Sequence, residues 1–272
     1  MSLFFTSLNS GSNGNCYYIA NEQEAILIDA GLSCKETEKR MEKLRLSIRK
    51  IKAIFISHEH IDHIKGVEVL SKKYSIPVYI TSETLKHSRV QIPKININFI
   101  TLHKAIFIGS LHITAFPKMH DAIDPSSFII KYNDLTIGVF TDIGKVCDNV
   151  IKYFKQCHAA FLEANYDEGM LENGDYPFHL KKRISGDNGH LSNKEAFELF
   201  TRHRPAFMSH LLLSHLSKEN NTPALALELF NINSDGVSVS IASRYESTQL
   251  FELKEKAIKK AAPSLSMQLT LF

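Results

Sequence analysis

Residues 57–63 read Ser57-His58-Glu59-His60-Ile61-Asp62-His63, which places four potential metal ligands within six positions. They follow the apolar run Ile51-Lys52-Ala53-Ile54-Phe55-Ile56, the pattern of a buried strand. The spacing of apolar residues after the cluster predicts a helix over 64–73. The cluster therefore falls on a strand-to-helix loop, with Asp62 and His63 near the helix start. Unpaired N–H groups and partial positive charge there favour an anionic oxygen. His58 and His60, two apart on an extended loop, can face one cation, while Asp62 and His63 turn away and can serve a second. A solvated loop rich in histidine is the alternative, and the flanking strand and helix argue against it.

The remaining composition narrows the class. Thirteen histidines in 272 residues stand out from an otherwise ordinary globular composition. That length holds one large domain or two small ones, each with ample core material. No apolar run approaches the roughly 20 residues that span a bilayer. Met1-Ser2-Leu3-Phe4-Phe5-Thr6-Ser7 lacks a basic segment and a long apolar core, so it reads as a first strand rather than a signal peptide. Cys16, Cys34, Cys147 and Cys157 form no CxxC pair, which fits reduced thiols in a cytoplasmic protein. A net charge of +3 neither demands nor excludes nucleic acid; an anionic partner would be held locally.

Short strands and helices alternate along the chain. Strands are expected at 3–8, 16–20, 25–28, 51–56, 78–80, 111–116, 127–132, 136–140, 159–162, 206–213 and 237–241. Helices are expected at 34–46, 64–73, 145–154, 193–202 and 223–230. Tyr132-Asn133-Asp134-Leu135 signals a tight turn. Hairpins mixed with helical crossovers suggest two sheets with helices outside, not a doubly wound sheet. A domain over 1–253 is expected, followed by a tail over 254–272 that contains the spacer Ala261-Ala262-Pro263-Ser264.

Several strands deliver a ligand-type residue at their tips: Asp29 after 25–28, His120 beyond 111–116, Asp142 after 136–140 and His215 after the strand that ends at 213. Rigid strand ends are a standard way to hold such side chains in fixed geometry. The ordered set Asp, HxHxDH, His, Asp, His resembles the metallo-β-lactamase superfamily over about residues 3 to 250. The resemblance implies an α/β fold, the αββα sandwich of two mixed sheets flanked by helices, with a two-metal site at the sheet edge. It assigns His58, His60 and His120 to one ion, Asp62, His63 and His215 to the other, and Asp142 between them. Asp29 would orient a histidine from behind. Asp62 counts as catalytic as well as ligating. Imidazole and carboxylate without thiolate suit two Zn²⁺ ions first and Mn²⁺ second. His87, His103, His112, His158, His179, His203 and His210 read as ordinary.

The superfamily hosts many reactions, so the substrate needs further residues. Glu163 at a strand end and His190 before a helix resemble the pair by which ribonuclease Z and its relatives protonate a departing oxygen. On that likeness His190 is the general acid and Glu163 its partner. Glu163-Ala164-Asn165-Tyr166-Asp167, Gly189-His190-Leu191-Ser192-Asn193 and His215-Leu216-Ser217-Lys218-Glu219-Asn220-Asn221 together resemble the YycJ/WalJ group. This group is described as metal-dependent 5′-to-3′ DNA exonucleases linked to mismatch repair. Ala164 stands where that group often has Ser or Cys. No long insertion is present that would make a β-CASP cap, although 166–188 can form a small lid. Substrate phosphate contacts are expected from the loop residues Ser10, Ser12 and Asn13 and from Lys181, Lys182 and Arg183, with Tyr166 or Tyr176 stacking on bases. The end of the chain, Gln268-Leu269-Thr270-Leu271-Phe272, resembles the pentapeptide that docks on the bacterial sliding clamp, with Gln268, Leu269, Leu271 and Phe272 as its contacts.

The sequence thus points to a two-metal phosphodiesterase acting on DNA in repair and tethered to the clamp. Its rivals are a small-molecule metallo-hydrolase (a glyoxalase II-like thioesterase or a cyclic-nucleotide phosphodiesterase) and a non-catalytic clamp-binding adaptor. Glu163, His190 and the terminal pentapeptide argue against the thioesterase, and the full ligand set argues against the adaptor.

Overall fold

The computed structural model describes residues 1–255. The first half supplies strands β1 (Ser2–Asn9), β2 (Cys16–Ala20), β3 (Ala25–Ile28), β4 (Ile51–Phe55), β5 (Val78–Ile80) and β6 (Ile97–Phe99). The second half supplies β7 (Ala105–Ile108), β8 (Leu111–Pro117), β9 (Ser126–Tyr132), β10 (Leu135–Phe140), β11 (Ala159–Glu163), β12 (His210–Ser214) and β13 (Ser238–Ile241). A last strand, β14 (Phe251–Lys254), returns to the first sheet beside β1, and the two seven-stranded sheets run β14-β1-β2-β3-β4-β5-β6 and β13-β12-β11-β10-β9-β8-β7. Each sheet is mixed: antiparallel at β1–β2–β3 and β7–β8–β9–β10, parallel at β3–β4–β5–β6 and β10–β11–β12–β13.

The strands are apolar on both faces because both faces are covered. Ile26 and Ile28 of β3, Phe55 of β4, Phe128 and Ile130 of β9 and Phe161 of β11 meet between the sheets. Their neighbours point outward under helices. Leu27 and Ile54 pack beneath α1 (Cys34–Lys43) and α3 (Val67–Tyr74). Ile129, Ala160 and Leu162 pack with residues of α5 (Asp148–Phe154), α8 (Asn193–His203) and α9 (Pro223–Asn231). The layers are therefore helix, sheet, sheet, helix. Caps fix where the helices begin: Ser33 for α1, a Ser192/Glu195 capping box for α8, and Thr222 with Pro223 for α9.

The structure corrects the sequence reading in several places. The helix expected over 64–73 is two pieces, α2 (Ile61–Ile64) and α3, so Asp62 and His63 lie inside the first. The Gly66 amide donates to the Ala30 carbonyl, which breaks the helical run at that point. The strand expected from 206 begins only at His210, because 206–209 turn onto the sheet. Strands β6, β7 and β14 were not expected. Helix α4 (Ser82–His87) was missed, as were α6 (Glu168–Asn173) and α7 (Phe178–Ile184), which fill the lid segment. A boundary after residue 253 falls one residue short of the end of β14. The pentapeptide 268–272 lies outside the described residues. Among those described, no helix is long and apolar enough to cross a membrane.

Candidate metal centre and active site

The loops after β3, β4, β8, β10 and β12 converge on one edge of the sandwich. His58, His60 and His120 bring ligand atoms within 4.8 Å of one another, as do Asp62, His63 and His215. Asp142 lies between the sets and groups with His58 and His63. Its Oδ1 is 3.3 Å from His215 Nε2 and 3.9 Å from His120 Nε2, and its Oδ2 is 3.3 Å from His63 Nε2. The seven residues expected as ligands are thus brought together, although they span 158 positions (58 to 215) of the chain.

Backbone geometry at the tips aims these groups. Asp29, Asp142 and His215 adopt left-handed conformations, with φ of 59°, 54° and 56°. Such backbone costs about 1–3 kcal/mol per residue and persists where surrounding structure enforces it. Gly31 is forced by close approach: a Cβ there would sit 1.6 Å from the Asp62 carbonyl oxygen.

The outer nitrogens of four histidines are occupied from behind, which leaves their Nε2 atoms for the centre. His63 Nδ1 donates to Asp29 Oδ2 at 2.7 Å, which places Asp29 behind that ring. Asp29 also accepts from the Ser57 amide and hydroxyl, and His58 Nδ1 donates to Ser57 Oγ at 2.8 Å. His120 Nδ1 donates to the Gly189 carbonyl, and His215 Nδ1 donates to Glu163 Oε1 at 3.2 Å. His60 differs, presenting Nδ1 at 3.1 Å from His58 Nε2.

Glu163 is wholly buried and serves two rings, because its Oε1 also accepts from His190 Nδ1 at 2.8 Å. Oε2 accepts from the amides of Ile143 and Leu191, which ties the glutamate to the loops of Asp142 and His190. The His190 ring stacks on His215 at 5.2 Å and lies 5.3 Å from His120, with part of the side chain open to solvent.

Electrostatics follow from burial opposed by pairing. Burial would raise Glu163, but His190 and His215 outweigh it and hold the carboxyl down at about 2. Burial would lower His215, but Asp142, Asp62 and Glu163 push it up to about 10. Burial dominates at His120, which falls to about 4. It also dominates at His58, which falls well below the ordinary histidine range with the His63 charge adding to the effect.

The donor set fits divalent cations. His120 Nε2, His215 Nε2 and Asp142 Oδ2 are buried without a hydrogen bond, an expensive condition for polar atoms unless a ligand completes them. Only nitrogen and oxygen atoms converge, a set suited to zinc or manganese.

Several supporting residues escaped the sequence reading. Asn15 Nδ2 approaches His63 Nε2 at 3.0 Å and Asp62 Oδ2 at 3.2 Å. Asn165 Nδ2 donates to the His215 carbonyl at 2.7 Å. Lys118 is buried with its ammonium on the Thr141 carbonyl, next to Asp142, and burial depresses it below the usual lysine range. Their only signal was a polar residue beside a strand tip. The expected phosphate contacts divide. Ser10 is buried, its hydroxyl bonded to Tyr17 and to the His215 amide, so it braces the His215 loop. Arg183 is taken by Asp121. Tyr166 is buried, which removes it as a stacking surface. Ser12, Asn13, Lys181 and Lys182 stay at the surface or partly exposed, with Lys181 donating to the Glu172 carbonyl.

Residues 24–215 match the β-lactamase superfamily domain. The chain is also 35% identical over 229 residues to the exodeoxyribonuclease YycJ of Bacillus anthracis, covering 83% of this chain and 87% of that one. It belongs to the YycJ/WalJ branch of the metallo-β-lactamase superfamily. The exodeoxyribonuclease WalJ of Streptococcus pneumoniae is 33% identical over 227 residues, 82% of this chain and 84% of that one. Among solved structures, the metallo-β-lactamase fold protein YhfI of Bacillus subtilis superposes with a TM-score of 0.70 at 17% identity, over 92% of this chain and 99% of that one. That likeness bears on the fold alone. Superfamily membership and the convergent ligand clusters make the chain a metal-dependent hydrolase.

Proposed function

We propose that the chain is a phosphodiesterase that removes nucleotides from the 5′ end of DNA, with two divalent ions as cofactors and zinc ahead of manganese. The observation that carries this reading is the Glu163–His190 pair set against His120 and His215. It is supported by the exodeoxyribonuclease names of relatives that match most of the chain. His58, His60 and His120 would hold one ion, Asp62, His63 and His215 the other, with Asp142 between them. When bound, the ions would supply Lewis acidity, lowering the pKa of a water and offsetting charge on the phosphate.

The chain's own residues do the rest. Glu163 accepts the Nδ1 proton of His190, so the ring's remaining nitrogen is the one free to exchange a proton with substrate. An alkoxide leaves poorly near neutral pH, and His190 would protonate the departing 3′ oxygen. The same carboxylate steadies His215, coupling the acid to the ligand set. A thioester hydrolase has no use for such an acid, because a thiolate departs unaided.

Residues 1–253 would form the catalytic domain and 254–272 a tail whose last five residues engage the sliding clamp during mismatch repair. A cytoplasmic setting accords with four free cysteines. The test is digestion of 5′-phosphorylated single- and double-stranded DNA with Mn²⁺ or Zn²⁺, beside a thioester and a cyclic nucleotide. Release of mononucleotides from DNA is expected. Turnover of only the small substrates would overturn the reading.

A further inference from the structure

An exonuclease must hold the end of its strand, and the edge that carries the ligands continues one strand further. Beyond the tip of β12, the tip of β13 opens into a cavity of about 250 Å³. Its walls include Leu216, Pro223, Ile241 and Ala242, with Tyr245 and Arg244 at its mouth. That is somewhat below the roughly 300–1,000 Å³ of sites for small molecules, so it suits one nucleoside and not a length of strand.

The cavity is joined to the metal centre by backbone. Ser10 lines it and accepts the His215 amide at 2.7 Å, and the Ser10 amide donates to the Ser243 carbonyl. Leu216 and Ser217, which follow His215 directly, form the shared wall. Gly11, at φ +137°, holds the Ser10–Gly14 loop in backbone that favours glycine, and a Cβ there would sit 3.3 Å from the Arg244 Cβ.

Arg244 is partly exposed, and no carboxylate among the described residues pairs with it. Its guanidinium makes two long contacts, 3.5 Å to the Leu216 carbonyl and 3.4 Å to the Ser12 hydroxyl. It lies 6.0 Å from the ring of Tyr245, which is 70% exposed. Lys218, also at this cavity, is already paired with Glu219. A planar cation without a carboxylate partner among the described residues, beside an exposed aromatic and an apolar hollow, matches a nucleotide: phosphate for the guanidinium, base for the ring.

We propose that this cavity receives the terminal nucleotide of the strand, with its base against Tyr245 and the apolar wall and its phosphate on Arg244. The proposal rests on the nuclease reading above. The strand end would then lie at β13 while the bond to be cut lies over the tips of β10 to β12.

The test uses the full chain in EDTA, so that binding is read without turnover, with a short 3′-labelled oligothymidylate followed by fluorescence anisotropy. Arg244→Ala is expected to weaken binding about tenfold or more and to make the slope of log affinity against log salt shallower by about 0.7. Tyr245→Ala is expected to weaken it about tenfold with the salt slope unchanged. Unchanged affinity and slope in Arg244→Ala, or no measurable binding by the wild type, would overturn the proposal. DNA digestion by the metal-loaded wild type is scored separately. Arg244-dependent binding without digestion retires the nuclease reading and leaves a nucleotide site. Digestion with Arg244-independent binding does the reverse.

Discussion

Glu163 links two jobs in one side chain, since it orients both the proposed acid and a proposed ligand. The two jobs separate by mutation. His190→Ala should lower kcat about 10²- to 10⁴-fold while metal content, measured on the purified protein, stays at the wild-type level. Glu163→Gln should lower both, because a neutral amide oxygen replaces the charged acceptor of His190 and His215 alike. A His190→Ala protein with unimpaired kcat would remove the proton donor. Charge pairing also makes a pH signature in the metal-free protein. His215 rises from 6.5 to about 10 on folding, so its pairing stabilises fully below pH 6.5 and fades as pH climbs through 10. Glu163 drops from 4.5 to about 2, so its contribution holds above pH 4.5 and fades as pH falls through 2. The Tm gap between wild type and His215→Asn, both without metal, should therefore narrow between pH 7 and 10.

At the scale of elements, the strand tips place chemistry and the loops brace it. Gly31→Ala would push a methyl group into the Asp62 carbonyl. A loss of about 1–3 kcal/mol in denaturant unfolding is expected, with weaker metal uptake as the Asp62 loop shifts. Much of this was legible in the sequence, for one reason. Strands covered on both faces are continuous apolar runs, and a lone Asp or His just beyond such a run is conspicuous, as at Asp29, Asp142 and His215. Three of the four edge strands, β6, β7 and β14, were not legible. Phe99 of β6 and Phe107 of β7 are exposed, so neither segment carries the buried pattern that marks a strand. Nor were the braces. Lysine is expected at the surface, and only the fold reveals that Lys118 is enclosed beside Asp142. Asn15 and Asn165 act on groups 48 and 50 residues away, a relation that no local spacing encodes.

At the scale of the whole molecule, the site is a seam whose buried donor atoms lack partners. Buried polar atoms without partners at His120, Asp142 and His215 predict a large stability change on loading. Exhaustive chelation should lower Tm, and adding Zn²⁺ or Mn²⁺ at a hundred times its dissociation constant should restore about 2.7 kcal/mol, read by thermal melts across a metal titration. Removing residues 268–272 should abolish clamp association in gel filtration and leave turnover of short oligonucleotides unchanged.

Strands β10, β11 and β12 lie side by side in parallel, with Phe140, Leu162 and Leu213 at one level. Asp142, Glu163 and His215 emerge one or two residues beyond that line. Their lateral spacing is thus inherited from the hydrogen-bond ladder, about 4.8 Å per step, and owes little to the side chains themselves. A ruler of this kind lets the group at one mark be exchanged without moving the others, so altered reactivity here needs a new residue at a tip and no new scaffold.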